Sequence, residues 1–256
     1  MIQQFGLYPR LLVVFLIFLS TATSSADDLY IAVAANFTTP IKQLKLRFTK
    51  DFGHNLIVSI GSTGQLYTQI KNGAPYQVFL AADRERPQML VNENIAVAGS
   101  LFTYAIGQLV LWSSHAKLIN TDGKVLFTNK FQHLAIAHPK MAPYGTATKQ
   151  VLQKLKLWQR LQSKIVRGNS VGKAYQFTVT GSAELGFIAF SQYVTGKLRG
   201  SYWLVPNELY DPIQQGAVLL KQGKKQSAAQ AFMQFLRSSS ARKIIEQFGY
   251  VVRYSD

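Results

Sequence analysis

Residues 56–73 restrict the chain to a small set of folds. Leu56 to Ile60 is an apolar, β-branched run, Leu66 and Ile70 recur at helical spacing, and Asn72-Gly73 supplies a left-handed stop. The segment therefore predicts strand, turn and helix in succession. Its hydroxyl-and-glycine turn sets Ser62 and Thr63 beside unpaired backbone N–H groups at a helix N-terminus, where the macrodipole favours negative charge. A single turn of this kind is ordinarily a helix cap. Its repetition along the chain makes it a candidate oxyanion seat.

The same pattern precedes and follows it. Residues 29–34 form an apolar strand that leads through Ala35-Asn36-Phe37-Thr38-Thr39 to Pro40, which suits a first helical turn; Ile41, Leu44 and Phe48 share one face and Gly53 ends the helix. Residues 76–82 supply a third strand, with Asp83 as cap for a helix around residues 86–91. Residues 102–112 read as one long strand, with Gly107 inside it, passing between two lobes. Beyond it, residues 134–137 lead through Pro143-Tyr144-Gly145 into a helix, residues 164–167 lead through Gly168-Asn169-Ser170 into another, and residues 184–190 form a further buried strand. Near Val205-Pro206-Asn207 the chain returns, and residues 217–220 with helices around 228–236 and 241–248 complete the first lobe. Strands alternating with helices argue for mostly parallel sheets. The expected fold is α/β, two lobes crossed twice by the chain: 27–105 with 206–256 as lobe I, and 106–205 as lobe II.

Composition narrows the setting. Arg10 precedes the apolar run 11–19, and small polar residues follow it to Ala26, the pattern of a secretory signal over residues 1–26 with cleavage near Ala26. The run is short for a membrane span, and no later stretch approaches one, so no stable membrane insertion is expected. Cysteine is absent, which removes both a disulfide framework and the acceptor for a lipid anchor. These features fit a diffusible periplasmic protein, a monomer. The net charge of +16 raises nucleic acid as a partner, but the basic residues are spread singly, as in Lys42, Lys45, Arg47 and Lys50, so a solvated basic surface is the better reading.

Four strand-to-helix turns now carry one chemistry: Ala35-Asn36, Ser62-Thr63, Pro143-Tyr144-Gly145 and Ser170-Val171. In open α/β sheets ligands sit beyond the carboxyl ends of strands, so four turns facing one another would enclose a small ligand with amides and hydroxyls. None brings a charged side chain at its tip. Several neutral donors can hold a buried dianion, whereas a ligand that still carries a proton would leave its hydroxyl without an acceptor. Each residue also has an ordinary alternative: Asn36 as a turn residue, Tyr144 as packing, Val171 as cavity wall. Asn36-Phe37-Thr38 is a glycosylation sequon only by a common three-residue match.

Residues 32–37, Ile60-Gly61-Ser62-Thr63-Gly64, and the run from Gly73-Ala74-Pro75 to Ala82-Asp83 resemble the periplasmic molybdate-binding protein of ABC importers, a class II periplasmic solute-binding protein. The resemblance extends over the mature chain, including residues 107–112 and 183–187. It implies the type II two-lobe fold, closing on molybdate or tungstate as ligand, with no cofactor, and an ABC permease as partner. Carried over by position, it implies Asn36, Thr63, Tyr144 and Val171 as ligand contacts, with Ser62 and Ala35 beside them. Some members place a tyrosine after the Leu-Gly strand, where this chain has Ala189; here the tyrosine stands in the Pro-x-Gly turn, as Tyr144.

Two rivals remain. Gly168-Asn169-Ser170-Val171-Gly172 fits G-x-S-x-G between a strand and a helix, which suggests a hydrolase nucleophile at Ser170. That arrangement needs a histidine after the serine, and His54, His115, His133 and His138 all precede it. No cysteine and no paired histidine spacing supports a metal site. Within the binding class, sulfate, phosphate and other tetrahedral oxyanions are the alternatives; sulfate shares the charge and shape of molybdate, so the choice between them rests on cavity size.

Overall fold

The structure is a computed structural model and describes residues 28–120 and 122–253. The expected export signal, residues 1–26, lies outside the described residues. Among the described residues ten strands form two five-stranded sheets. In the first, β1 (Asp28–Ala34) pairs in parallel with β2 (Asn55–Gly61) and β3 (Val78–Leu80), while β10 (Ile213–Leu219) runs antiparallel between β3 and β4 (Phe102–Gly107). In the second, β6 (Leu134–Ala137) pairs in parallel with β7 (Ile165–Gly168) and β8 (Leu185–Ala189), and β5 (Leu109–Ser113) lies antiparallel between β8 and β9 (Ser201–Leu204).

Each parallel strand feeds a helix as the apolar periodicity requires. β1 leads through a single 3-10 turn, Ala35–Phe37, into α1 (Thr38–Phe52); β2 leads into α2 (Thr63–Lys71); β6 leads into α4 (Pro143–Lys154); and β7 leads into α5 (Val171–Val179). Gly53 ends α1 as expected, and it does so in the left-handed conformation, with φ +74°. α3 (Glu85–Asn92) begins one residue earlier than expected, and Asp83 still serves its first turn by accepting the Arg86 N–H at 3.1 Å. The C-terminal helices α7 (Ser227–Arg237) and α8 (Ser239–Gln247) return to the first sheet. There Phe232 meets Phe48 edge to face at 5.2 Å in a core that includes Ile31, Val33 and Phe37. Burying each such side chain contributes about 1.5–3 kcal/mol.

The crossing between sheets differs in detail from the expected single strand over 102–112. β4 ends at Gly107 and β5 begins at Leu109 in the other sheet, so Gln108 alone makes the passage, its carbonyl accepting the Phe190 N–H at 2.9 Å. The run of β-propensity is continuous in sequence, but the two halves find pairing partners in different lobes. Residues 184–190 divide likewise, with Phe190 opening the short helix α6 (Phe190–Thr195), and the third strand keeps only Val78–Leu80 of residues 76–82. β9 had no expected counterpart. The return crossing follows it: Val205 N–H donates to the Leu109 carbonyl at 3.0 Å, and a 3-10 turn, Asn207–Leu209, leads toward β10. Ile106 and Val251 exchange backbone hydrogen bonds of 2.7 and 3.1 Å, which fastens the C-terminal segment to the first lobe.

Candidate functional site

The six residues singled out in the sequence stand at four strand-to-helix turns, and all are buried, Ala35 being the most exposed at 8%. Ala35 and Asn36 occupy the 3-10 turn after β1, Ser62 caps α2, Thr63 is its first residue, Tyr144 is the second residue of α4, and Val171 the first of α5. Two turns therefore come from each sheet. Ala34, the last residue of β1, and Ala82, two residues beyond β3, pack in the same apolar cluster as Ala142, Tyr144, Val171 and Ala189 of the second lobe. Direct contacts join the lobes around this cluster. Gly64 N–H donates to the Met141 carbonyl at 2.9 Å, Ser191 Oγ donates to the Asn36 carbonyl at 3.0 Å, and a Cβ on Gly172 would lie 3.3 Å from that of Ala35.

The adjacent hydroxyls of Ser62 and Thr63 differ in where their hydrogens go. Ser62 Oγ accepts the Gln65 N–H at 3.3 Å and donates to Gln65 Oε1 at 2.9 Å, so a capping box uses its hydrogen. Thr63 Oγ1 instead accepts the Ala82 N–H at 3.1 Å, which leaves its own hydrogen to donate elsewhere. Of the paired hydroxyls, Thr63 is the one suited to an anion.

Asn36 is committed inward. Its two side-chain amide hydrogens go to Gln215 Oε1 and to the Tyr250 hydroxyl, each at 2.9 Å, and its backbone carbonyl accepts from the Tyr250 hydroxyl at 2.9 Å. What the turn can present to a ligand is backbone: the first N–H groups of a 3-10 turn find no partner within the turn. The same holds at the first turns of α4 and α5. Pro143 opens α4 without needing an N–H, and Gly145 is required because a Cβ there would fall on the Ala137 carbonyl. At α5, Ser170 Oγ accepts the Lys173 N–H at 3.2 Å, the role of a cap and not of an activated nucleophile.

Behind the turns lies a polar network that the sequence did not reveal. Tyr104, Tyr250, Gln215 and Ser191 are all buried and connect to Asn36 and Tyr144. The nearest signal was Gln215, a polar residue opening the apolar run 216–220; Tyr250 gave none. Burial raises the phenol pKa values of Tyr104 and Tyr144 well above the ordinary value and that of Tyr250 to about 12. The hydroxyls are therefore neutral and protonated at any physiological pH. The seat is a set of uncharged donors, suited to an anion without a proton.

A crevice of about 570 Å³ opens beside the seat between Ala35, Asn36 and Thr38 on one lobe and Ser170, Gly172 and Lys173 on the other. A second, of about 550 Å³, lies between Asp83, Arg86, Lys140 and Asp211. There Arg86 pairs closely with Asp83 and donates to the Lys140 carbonyl at 3.0 Å, another bond between lobes. Among the described residues no group of three or more His, Asp or Glu side chains could hold a metal ion.

Residues 29–251 match the family described as bacterial extracellular solute-binding protein. The chain belongs to that family. This solute-binding protein is 51% identical over 234 residues to the molybdate-binding protein ModA of Azotobacter vinelandii, covering 91% of this chain and 93% of the relative. It is 49% identical to ModA of Rhodobacter capsulatus, covering 89% of this chain and 90% of the relative. Among solved structures, the periplasmic molybdate-binding protein of A. vinelandii superposes with a TM-score of 0.86 at 44% identity, covering 88% of this chain and all of that one. The two-lobe fold is that of periplasmic binding proteins, and this solute-binding protein is a binding protein and not an enzyme.

Proposed function

We propose that this solute-binding protein captures molybdate, and tungstate with it, between its two lobes in the periplasm and delivers the anion to an ABC permease. The observation that carries this reading is the 51% identity to a molybdate-binding protein over 91% of the chain. The neutral donor set at the lobe interface supports it, because a fully ionised tetrahedral oxyanion needs donors and no acceptor.

In this reading the anion is held by the backbone N–H of Asn36, the Thr63 hydroxyl, the Tyr144 turn and the backbone of Val171, with Ala35 and Ser62 shaping the seat beside them. Lobe I comprises residues 27–107 and 206–256, and lobe II residues 108–205, a boundary two residues beyond the expected 105 because β4 runs to Gly107 in the first sheet; the division is supported by β1 to β4 and β10 sharing one sheet and β5 to β9 the other. The export signal is removed near Ala26, and the mature chain acts as a monomer.

The test is calorimetric titration of the ligand-stripped mature chain with molybdate, tungstate, sulfate and phosphate at fixed salt. Tight one-to-one binding of molybdate and tungstate, with sulfate far weaker, is expected. Preferential binding of sulfate would keep the fold and seat and replace the substrate.

A further inference from the structure

Gln215 lies where the pairing of β10 with β4 slips, between Gln215 and Gly216, and its side chain is completely buried. A primary amide is retained in a core only where its polar atoms find partners. Those partners define what it does. Oε1 accepts from Asn36 Nδ2 and from the Tyr104 hydroxyl, both at 2.9 Å, and Nε2 donates to the Tyr144 hydroxyl at 3.4 Å. Two donors on Oε1 fix the amide's orientation, so that Nε2 must face Tyr144. One side chain thus reaches the first turn of lobe I and the Pro-Tyr-Gly turn of lobe II at once.

A Cβ on Gly107, the last residue of β4, would fall on the Tyr144 hydroxyl and lie 2.7 Å from Gln215 Nε2. The glycine at the crossing is the space in which the two side chains meet.

A phenol has one hydrogen and two acceptor lone pairs. By donating to the Tyr144 oxygen, Gln215 fills an acceptor position, so the phenol hydrogen is left to donate, with the neighbouring Tyr250 hydroxyl and an anion as its competing acceptors. By holding Asn36 as well, it sets the separation of two seats on opposite lobes. We propose that Gln215 is the positioning residue of the oxyanion site, fixing Tyr144 as a donor and the spacing between the Asn36 and Tyr144 turns. This rests on the reading that both turns contact the ligand. Because sulfate is the smaller anion, a fixed spacing penalises it, and loosening the spacer lets the donors relax around it.

The test is a thermodynamic cycle on the full mature chain: wild type, Gln215→Met, Tyr144→Phe and the double variant, titrated with molybdate and sulfate, with ligand-free melting recorded for each. Gln215→Met is expected to weaken molybdate binding on the order of tenfold. It should narrow the molybdate-to-sulfate ratio and cost markedly less once Tyr144 is Phe. Wild-type affinity in Gln215→Met, or an equal loss in both backgrounds, would overturn the inference. Unchanged affinity in Tyr144→Phe would instead remove Tyr144 from the site, a failure of the functional reading itself. If Gln215→Met does not fold, Tyr104→Phe removes one of the two donors that orient the amide. It should weaken molybdate about threefold, the loss of part of one hydrogen bond, and wild-type affinity there would equally overturn the proposal.

Discussion

The N–H of Gly64 donates to the carbonyl of Met141 at 2.9 Å, so the helix that begins at Thr63 touches the opposite lobe within its first turn. A Cβ on Gly64 would lie 3.0 Å from the Met141 oxygen and 3.2 Å from its Cα, and backbone atoms cannot swing aside as a flexible side chain can. Gly64→Ala is therefore expected to hinder closure and weaken molybdate binding about tenfold, a typical cost of local overpacking. Alanine also favours the helix over glycine by up to ~1 kcal/mol. The ligand-free melting temperature should stay level or rise while calorimetry records the loss.

Ser62 and Thr63 are adjacent hydroxyls with different duties, and substitution separates them. Thr63→Ala removes the uncommitted donor and strands the Ala82 N–H, and should weaken molybdate binding by roughly 1–3 kcal/mol. Ser62→Ala dismantles the capping box and should lower stability by roughly 0.5–2 kcal/mol, with a smaller loss of affinity than Thr63→Ala. Parallel titration and denaturation of the two variants give the comparison; a larger affinity loss at Ser62 would reverse the assignment.

The buried phenols set a pH limit. Tyr104, Tyr144 and Tyr250 have folded-state pKa values raised above the ordinary value near 10, chiefly by burial, Tyr250 to about 12. Above the unfolded value the folded state holds more protons than the unfolded chain, so their contribution to stability is complete below about pH 10 and is lost as pH rises beyond it. From pH 7 to 9 these phenols should add no slope to melting temperature or molybdate affinity, and both should fall above pH 10. Melting curves across that range measure it.

Asp83 is held in the opposite crevice between burial, which raises its pKa, and the Arg86 charge, which lowers it; burial prevails. A carboxyl with a raised folded pKa is stabilising below its unfolded value near 4 and loses that contribution as pH rises through the folded value. Arg86→Ala removes the opposing charge and the bond to the Lys140 carbonyl. The variant should lose roughly 1–3 kcal/mol at pH 7, the penalty of an unpaired buried group, and recover toward wild type near pH 4. Molybdate affinity should fall with the lost contact between lobes. Denaturation at the two pH values decides it.

The strand-turn-helix units were legible because each is written locally. Gly53 closing α1, the Ser62-to-Gln65 capping box and Pro143 opening α4 are all relations within a few residues. Residues 102–112 read as one strand because β-propensity is continuous across Gln108, while the change of sheet depends on partners far away in sequence: Gln215 opposite Ala105 and Ala189 opposite Leu109. The short helix at Phe190 and the strand at Ser201 likewise exist through their packing in the second lobe.

The sequence by itself determined the four turns, the absence of charge at their tips and the alternation that makes two parallel-rich sheets, since backbone donors and periodicity are properties of neighbouring residues. Only the tertiary structure decided which donors are free. Asn36 turns its amide away to Gln215 and Tyr250, residues 179 and 214 positions distant, and Thr63 differs from Ser62 through a bond to Ala82. A hydrogen atom can be given once, and where it goes depends on groups that meet only after the chain has folded.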